Sequence, residues 1–225
     1  MPGPAETGLV ALPLVWAAAA GYVLGSLPFG YIVAKANGVN IFEVGSRSSG
    51  ATNVRRMVGN RAGLLVLGLD AVKGAAAAAA SLFVSLPYGH AREAILLGYV
   101  GLACALVGHS FSIFTELRGG KGVATAAGGL FVLMPAIAGI SAAVWGAFYL
   151  ATRYVSVASI AAALSLPVSV YFLPQPGGPT AMVVCVFIAL FVVVRHRENI
   201  VRLASGTEKR AGGDGPGGGP GRGGR

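Results

Sequence analysis

The stretch Gly119–Gly122 places a single lysine, Lys121, among three glycines directly before an apolar segment. Glycine leaves backbone N–H groups accessible, and a helix beginning at Val123 would add the partial positive charge of its N-terminus. Backbone amides, a helix N-terminus and an ammonium group together form a site for an anion, phosphate above all. The spacing is not that of a Walker A loop. A flexible turn with an ordinary cytoplasmic positive charge is the alternative interpretation.

The polar stretch 45–56, GSRSSGATNVRR, brings hydroxyl groups, a carboxamide and arginines together. Serine and asparagine often serve only as helix caps or turn formers. Arginine beyond such a turn binds phosphate through two parallel N–H groups. Arg55 and Arg56 point in different directions on a helix, so only one of them is expected to face a site.

The stretch 195–203, RHRENIVRL, begins where the last apolar segment ends. A basic anchor at the membrane surface accounts for its arginines, but not for His196 and Asn199, which lie three residues apart on one helical face. The flanking arginines disfavour an imidazolium ion, so His196 is expected to be neutral and able to accept a proton. His109, near the end of an earlier segment, is interpreted as a packing or capping residue.

Two polar pairs lie inside apolar segments. Asp70 and Lys73 are three residues apart, and each charge alone is costly in lipid, so a structural ion pair is predicted, with a role in a site as the alternative. Ser156 and Ser159 share a helical face. Because a serine in a transmembrane helix usually bonds a carbonyl of its own helix, their pattern alone does not indicate chemistry.

The elements that must position these residues are membrane helices. Hydrophobic residues make up 55% of the 225 residues and charged residues 11%, with a mean hydropathy of +0.72, which excludes a soluble domain. Cys104 and Cys185 lie in apolar stretches without metal-binding spacing and are interpreted as buried apolar residues. Stretches of about 20 apolar residues predict bilayer-spanning helices. The candidates are Leu9–Ala34, Ala62–Leu86, Ala94–Phe114, Val123–Ala151, Val155–Phe172 and Thr180–Val194.

The basic residues predict the orientation of these helices. All but two of the 17 Lys and Arg residues lie at 35–61, 118–121, 153 and from 195 onward, and the positive-inside rule assigns these segments to the cytoplasm. The N-terminal segment has no Lys or Arg and is predicted to lie outside. Both flanks of Val123–Ala151 are then cytoplasmic, so this segment enters the membrane and returns, bending near Met134–Pro135. About seven transmembrane helices follow, two of them short, with the C-terminus in the cytoplasm.

In this interpretation residues 1–208 form a single polytopic membrane domain. Residues 209–225, rich in Gly, Pro and Arg, are predicted to be a disordered tail. The polar-rich loops then share the cytoplasmic side of the membrane. A site there suits a reaction between a water-soluble molecule and a lipid, whereas a carrier would need polar groups near the bilayer midplane.

Seven motifs in order resemble one family. They are GSLPFGY (25–31), GATNVRR (50–56), LDAVKG (69–74), GHSFSIF (108–114), GGKGVAT (119–125), YVSVASI (154–160) and RHRENIVRL with GTE (195–208). The set resembles the bacterial acyl-phosphate:glycerol-3-phosphate acyltransferases, the PlsY family, from about Gly21 to Glu208. Each motif alone is weak, but seven in order are specific.

The resemblance implies an all-α integral membrane enzyme that transfers a fatty acyl group from acyl phosphate to the 1-hydroxyl of glycerol 3-phosphate. The products are 1-acylglycerol 3-phosphate (lysophosphatidate) and phosphate, in phospholipid synthesis. The family implies a multi-pass protein of the bacterial cytoplasmic (inner) membrane with its active site facing the cytoplasm. The expected partners are both substrates, membrane lipid and, functionally, the enzyme that makes acyl phosphate. Neither a cofactor nor a nucleic acid is expected.

The resemblance also implies the roles of individual residues. The family's catalytic residues correspond to Ser46, Arg56, Lys121, Ser159, His196 and Asn199, with Ser159 preferred to Ser156. Its substrate-binding residues correspond to Gly119, Gly120, Lys121, Gly122, Thr52 and Asn53. Structural roles correspond to Glu208, Asp70 and Lys73. The family usually has Gly and Asn where this chain has Arg47 and Ser48, which puts the role of an amide at position 48 in doubt.

The proposed donor is a mixed anhydride with a good leaving group, so the site needs mainly to position two substrates and neutralise two phosphates. The sequence offers neither a metal-ligand set nor a GxSxG nucleophile, which favours direct attack by the glycerol hydroxyl. The proton of that hydroxyl goes either to His196 or to a phosphate oxygen of a substrate.

Three alternatives compete with this interpretation. An acyltransferase that uses acyl-CoA or acyl carrier protein would carry HxxxxD, and no histidine here is followed by such an aspartate. A permease for a phosphorylated solute would carry charges in several helices and an internal repeat, whereas only Asp70 and Lys73 are found. A purely structural membrane scaffold would leave the GGKGVAT and RHREN motifs unexplained.

Overall fold

The computed structural model describes residues 4–84 and 91–212, and within these ranges the chain forms helices and no strands. This confirms the predicted all-α fold. The α-helices are α1 (Pro4–Ser26), α2 (Phe29–Ala36), α3 (Ala51–Met57), α4 (Asn60–Val84), α5 (Ala91–Ser110), α6 (Val123–Leu133), α7 (Pro135–Thr152), α8 (Val155–Phe172), α9 (Pro179–Arg195) and α10 (Arg197–Ala204).

Prolines divide two of the predicted apolar segments into separate helices. α1 ends at Ser26 and α2 begins after Pro28, so the first predicted apolar segment is two helices. Pro135 lies in the first turn of α7, and Met134 before it has φ −144° and ψ 67°, outside the helical region. The residue preceding a proline is disfavoured in a helix. The predicted bend near Met134–Pro135 is therefore confirmed.

The two helices on either side of this bend differ in length. α6 has 11 residues and α7 has 18. At about 1.5 Å per residue, α6 extends roughly halfway across a bilayer core of about 30 Å, while α7 is long enough to cross it. The expectation of two short helices thus holds for α6 but not for α7, because the break falls early in the segment.

Five helices of the described chain are long and apolar enough to span a membrane, or six if α9 and α10 form one bent span. Each of the seven predicted helical segments has a counterpart, namely α1, α4, α5, α6, α7, α8 and α9. The number of complete crossings and the external N-terminus stay predictions. The end of the predicted segment Ala62–Leu86 lies outside the described residues, whose first range stops at residue 84.

Glycines allow the long helices to approach each other at backbone contact distance. α1 lies against α5, and α4 lies against α6. A Cβ atom at Gly25 would overlap the backbone of Ala105, and one at Gly128 would overlap the backbone of Ala71. Gly74 packs against the α6 backbone in the same way. Close backbone approach increases van der Waals contact, which drives helix association in lipid, where little hydrophobic force acts between helices.

The main apolar core lies where α5, α6, α8 and α9 meet. It includes Tyr99, Leu102 and Ile188, each almost wholly buried. Cys185 belongs to this core, as predicted, whereas Cys104 is only partly buried, and both are free thiols. The core holds α8 and α9 side by side, so that their ends present residues to one site.

Asp70 and Lys73 form the predicted ion pair within α4. The Lys73 Nζ lies 2.8 Å from a carboxylate oxygen of Asp70, and both side chains are buried. Lys73 also donates a hydrogen bond of 2.9 Å to the carbonyl oxygen of Leu27, just beyond the end of α1. On its other side, the same Asp70 oxygen lies 3.5 Å from Nδ1 of His109 on α5. The ion pair therefore ties three helices together.

The C-terminal segment packs against the helices further than the predicted domain boundary at Glu208. The amide of Ala211 donates a hydrogen bond of 2.7 Å to the carbonyl oxygen of Arg153. The guanidinium of Arg210 lies 5.3 Å from the ring centroid of Tyr154. Most of the predicted tail, residues 213–225, lies outside the described residues.

We expect Gly128→Ala to destabilise the protein and Gly139→Ala to leave it unchanged or slightly stabilised. The added methyl group at position 128 meets the α4 backbone, and such overpacking costs about 1–3 kcal/mol. Position 139 lies on an exposed face of α7 with open space around it, and alanine favours a helix over glycine by roughly 0.5–1 kcal/mol. Melting temperatures in detergent measure both effects. Equal melting temperatures for the two variants would contradict the close contact of α4 and α6.

Candidate active site

One cavity of about 530 Å³ gathers residues from all of the predicted cytoplasmic motifs. Its wall is built from the loop before α3, from α3, α4, the end of α5 and the start of α6, from α7, α8 and α9, and from the α9–α10 junction with Glu208. Most of the residues assigned to the site from the sequence line it, namely Ser46, Thr52, Asn53, Arg56, Lys121, Gly122, Ser159, His196, Asn199 and Glu208. Segments far apart in sequence therefore meet at one place.

Asn53 organises the loop that precedes α3. Its side chain is 2% exposed, and its Oδ1 accepts a hydrogen bond of 3.0 Å from the amide of Ser46. Its Nδ2 donates to the carbonyl oxygens of Val44 and Ser48, at 3.2 and 3.0 Å. These bonds occupy the carboxamide, so its contact with the site is indirect: it holds the turn that presents Ser46.

Ser48 links this loop to the glycine loop. Its hydroxyl group donates to the carbonyl oxygen of Gly119 over 3.4 Å and accepts from the amide of Gly50 over 3.3 Å. Position 48 is where the resembled family usually has asparagine. A single hydroxyl group thus bridges the two loops at this position.

Arg55 and Arg56 both border the cavity, so the expectation that only one would face a site is not met. Neighbouring positions on a helix diverge by about 100°, which still allows two long side chains to reach one wide cavity. The Nη2 of Arg56 donates a hydrogen bond of 3.0 Å to the carbonyl oxygen of Lys209. The C-terminal segment thereby fixes the position of Arg56.

Lys121 is the cation of the glycine loop, and its Nζ donates a hydrogen bond to Oδ1 of Asn199 on α10. Burial lowers the pKa of Lys121 to about 8, although the carboxylate of Glu208 opposes this shift. An anion bound beside Lys121 would favour the charged form of the lysine, because an opposite charge nearby raises its pKa. Lys121 is mostly buried rather than a solvated surface charge.

The glycines of this loop have different environments. The amide of Gly120 donates a hydrogen bond of 3.1 Å to the carbonyl oxygen of His109, so it is engaged within the protein. Gly122 has φ +81°, a conformation that favours glycine, and it caps the N-terminus of α6. Gly119 and Gly120 lie behind the cavity wall, whereas Gly122 and the first turn of α6 are part of it.

His196 lies at the junction of α9 and α10, beyond the membrane-spanning part of α9, and is 3% exposed. Its Nδ1 lies 2.8 Å from the carbonyl oxygen of Val192. A carbonyl only accepts hydrogen bonds, so Nδ1 carries the proton and Nε2 is the basic nitrogen of the neutral ring. Burial, and next the charge of Lys121, lower the pKa of His196 to about 4. The imidazole is neutral at pH 7, with burial as its chief cause rather than the flanking arginines.

Glu208 is the hydrogen-bond acceptor that joins α8 to α10. Its Oε1 accepts from Oγ of Ser156 at 2.8 Å and from Nδ2 of Asn199 at 2.6 Å, and its Oε2 accepts from Nε of Arg202 at 2.8 Å. Burial alone would raise the pKa of Glu208, but these hydrogen bonds hold it below its ordinary value. The charged carboxylate is therefore the state that the fold requires.

The two serines of α8 have different partners. Ser156 donates its hydroxyl hydrogen to Glu208. Ser159 accepts a hydrogen bond of 3.2 Å from Nε1 of Trp145 on α7, which leaves its own hydroxyl hydrogen available. Both residues line the cavity. Of the two, Ser159 is the one that can donate to a bound substrate.

Sequence reasoning did not identify Trp145, Arg195 and Arg202 as parts of the site. Trp145 lies in an apolar segment where an aromatic residue is unremarkable. The two arginines belong to a basic stretch that the positive-inside rule explains fully. Only the hydrogen bonds of the folded chain distinguish them from other surface cations.

Comparison with known proteins places the chain among glycerol-3-phosphate acyltransferases by similarity. The glycerol-3-phosphate acyltransferase family model matches residues 15–206. The relative from Endomicrobium trichonymphae is 42% identical over 191 residues, covering 84% of this chain and 91% of the relative. The relative from Aquifex aeolicus is 42% identical over 190 residues, covering 84% of this chain and 94% of the relative.

Solved structures give the same result. The chain is similar to a crystal structure of PlsY, an integral membrane glycerol 3-phosphate acyltransferase, in its glycerol 3-phosphate form. The TM-score is 0.79 and the identity 36%, covering 88% of this chain and 96% of the other. Its lysophosphatidic acid form matches with a TM-score of 0.77. The similarity confirms the predicted fold class, an all-α integral membrane protein.

We expect Glu208→Gln to lower stability and activity together. The neutral amide weakens three charge-assisted hydrogen bonds, each worth about 1.5–3 kcal/mol. Glu198→Gln, a change of the same kind at an exposed position on α10, is the matched control. Melting temperature and initial rate measure both effects. A Glu208→Gln protein with the stability and rate of the control would show that the carboxylate does not hold the site together.

Proposed function

This chain belongs to the glycerol-3-phosphate acyltransferase family, an integral membrane family of phospholipid synthesis, and on that premise we propose that its acyl donor is a fatty acyl phosphate. The enzyme acylates glycerol 3-phosphate to give 1-acylglycerol 3-phosphate. With the proposed donor, the second product is inorganic phosphate.

The observation that carries the proposal is the composition of the cavity wall. One part carries the cations Arg55, Arg56 and Lys121. Another part is apolar and lies between the helices, with Leu67, Leu130, Ala162, Leu166 and Ile188 among its residues. A donor with an anionic phosphate at one end and a long hydrocarbon chain at the other matches both parts.

The glycine loop suits the phosphate of glycerol 3-phosphate. Lys121 supplies the positive charge, and the first-turn amides of α6, beginning at Val123, supply hydrogen-bond donors with the positive end of the helix dipole. Gly120 contributes differently from the sequence-based expectation, since its amide already binds His109. Arg56 binds the phosphate of the acyl donor, and the hydroxyl groups of Ser46 and Ser159 donate hydrogen bonds to it.

The reaction is a direct acyl transfer. The 1-hydroxyl oxygen of glycerol 3-phosphate attacks the acyl carbonyl carbon, and the bond from that carbon to the phosphate oxygen breaks. Phosphate leaves with the electron pair, and the hydroxyl proton must go to a base. Arg56 neutralises the charge that builds on the leaving phosphate, while Lys121 holds the phosphate of glycerol 3-phosphate.

A phosphate oxygen is the better base for that proton. A phosphate monoester has a second pKa near 6, whereas burial and Lys121 hold the pKa of His196 to about 4. We therefore assign the proton to a substrate phosphate. His196 then orients the glycerol moiety through Nε2 as a hydrogen-bond acceptor.

The location proposed for the enzyme is the cytoplasmic membrane, with the cavity opening to the cytoplasm. The segments that are rich in Lys and Arg converge on this cavity: Lys121 bonds Asn199, and Arg153 bonds Ala211. Convergence of these segments supports their location on one side of the membrane. Glycerol 3-phosphate would enter from water and the acyl chain from the bilayer.

We expect phosphate release from palmitoyl phosphate to require glycerol 3-phosphate and to fall at least about 100-fold in Lys121→Ala, since loss of one preorganised charge contact costs that much. Purified protein in detergent or lipid mesophase is assayed for phosphate over time. Arg197→Ala, which removes an exposed cation nearby, is the control. Turnover of acyl-CoA at the same rate as palmitoyl phosphate would overturn the donor assignment.

We expect kcat/KM for glycerol 3-phosphate to decline above pH 8, by about tenfold per pH unit. The pKa of Lys121 in the empty site is about 8, and only its protonated form neutralises the substrate's phosphate. At lower pH the lysine is charged and this contribution is fully present. Lys121→Arg stays charged throughout, so its profile should be flat between pH 8 and 9.5. An identical decline in that variant would assign the titration to another group.

A further inference from the structure

We propose that Arg195 and His109 are positioning residues that hold Gly120 from two sides and so set the direction of Lys121. This inference rests on the proposed role of Lys121 in binding the phosphate of glycerol 3-phosphate. Arg195 and Gly120 are not among the residues that line the cavity, whereas His109 is one of them. Arg195 and His109 act on the substrate through the position of Gly120.

Arg195 holds the carbonyl group of Gly120. Its Nε and Nη2 donate to that oxygen over 3.3 and 2.9 Å. The guanidinium also lies 5.0 Å from the ring centroid of Phe111, which fixes its plane from another side. Two N–H groups on one acceptor, with a stacked ring behind them, define the orientation of the carbonyl more closely than a single flexible cation would.

The orientation of the Gly120 carbonyl group also sets the orientation of the Lys121 backbone amide. The carbonyl of Gly120 and the amide of Lys121 belong to one peptide unit, which is planar and trans. When the carbonyl oxygen points towards Arg195, the Lys121 N–H points the opposite way. Arg195 therefore determines the direction of a loop amide and the point from which the lysine side chain starts.

His109 holds Gly120 on the other side. Its carbonyl oxygen accepts the Gly120 amide at 3.1 Å, and its ring lies so close to the Gly120 Cα that a Cβ atom at this position would overlap it. The ring itself is 6% exposed. The carboxylate of Asp70, held by Lys73 at 2.8 Å, lies 3.5 Å from its Nδ1.

Together these contacts connect the buried ion pair of α4 with the loop. Asp70 lies beside the His109 ring, the ring and the carbonyl group of His109 confine Gly120, and Arg195 contacts Gly120 from the opposite side. Glycine is thus needed at position 120 because a larger side chain would overlap the His109 ring, and not because the backbone there has an unusual φ angle. A packing or capping role for His109, as the sequence indicates, becomes a specific role in orienting a substrate-binding loop.

The test compares Arg195→Gln with Arg197→Gln, which removes the same charge two residues away at an exposed position. We expect Arg195→Gln to raise KM for glycerol 3-phosphate at least tenfold, with KM for the acyl donor changed less than threefold. Arg195→Lys keeps the positive charge but loses the paired N–H groups that hold the Gly120 carbonyl. Its KM for glycerol 3-phosphate should lie between those of Arg195→Gln and Arg197→Gln. If Arg195→Gln has the kinetic constants of Arg197→Gln, or raises both KM values equally, the positioning role is wrong.

A double-mutant cycle tests the His109 contact, and it remains informative if Arg195→Gln fails to fold. Gly120→Ala should raise KM for glycerol 3-phosphate about tenfold, and much less in a His109→Ala background, because the overlapping ring is gone. If the effects of Gly120→Ala and His109→Ala on this KM are additive, the proposed contact between the His109 ring and Gly120 is wrong. Titration calorimetry with glycerol 3-phosphate on the same variants reports binding without an acyl donor, so a failed donor assignment is distinguished from a failed positioning role.

Discussion

The carboxylate of Glu208 is the interaction on which the site depends. The site gathers cations, and Lys121, Arg56 and Arg202 would repel one another without a counter-charge. Glu208 supplies that charge from a buried position, and its carboxylate oxygens accept hydrogen bonds from residues of α8 and α10. A buried carboxylate is stable only when it is paired and hydrogen-bonded. The same bonds that satisfy Glu208 therefore fix the distance between the helices that carry the site.

The membrane imposes a second constraint on this arrangement. Within the hydrocarbon layer, helices associate through close contact of small residues, as Gly25 does against Ala105 and Gly128 against Ala71. Within α4, Asp70 and Lys73 form a matched pair, which lowers the cost of placing their charges in lipid. The short helix α6 begins at the cavity and ends before Met134. Its N-terminal backbone amides therefore lie where they can donate hydrogen bonds to an anion.

Substrate binding is divided between these two environments. The cationic end of the cavity is held by hydrogen bonds between loops, such as those of Ser48 with Gly119 and Arg195 with Gly120. The apolar end is formed by helices α4, α6, α7, α8 and α9. An acyl chain and a phosphate group can therefore be bound in one cavity without either group occupying an unfavourable medium.

The sequence by itself determined the helical membrane fold and the bend near Met134–Pro135, because apolar length and proline are local properties. The family resemblance of its motifs also predicted most of the assigned residues that line the cavity. The sequence could not distinguish Ser156 from Ser159, or Arg195 from any other basic anchor residue. These differences depend on partners far away in the chain: Glu208, Trp145 and the Gly120 carbonyl. Only tertiary structure brings such groups within hydrogen-bonding distance, and a hydrogen bond needs both its partners in place.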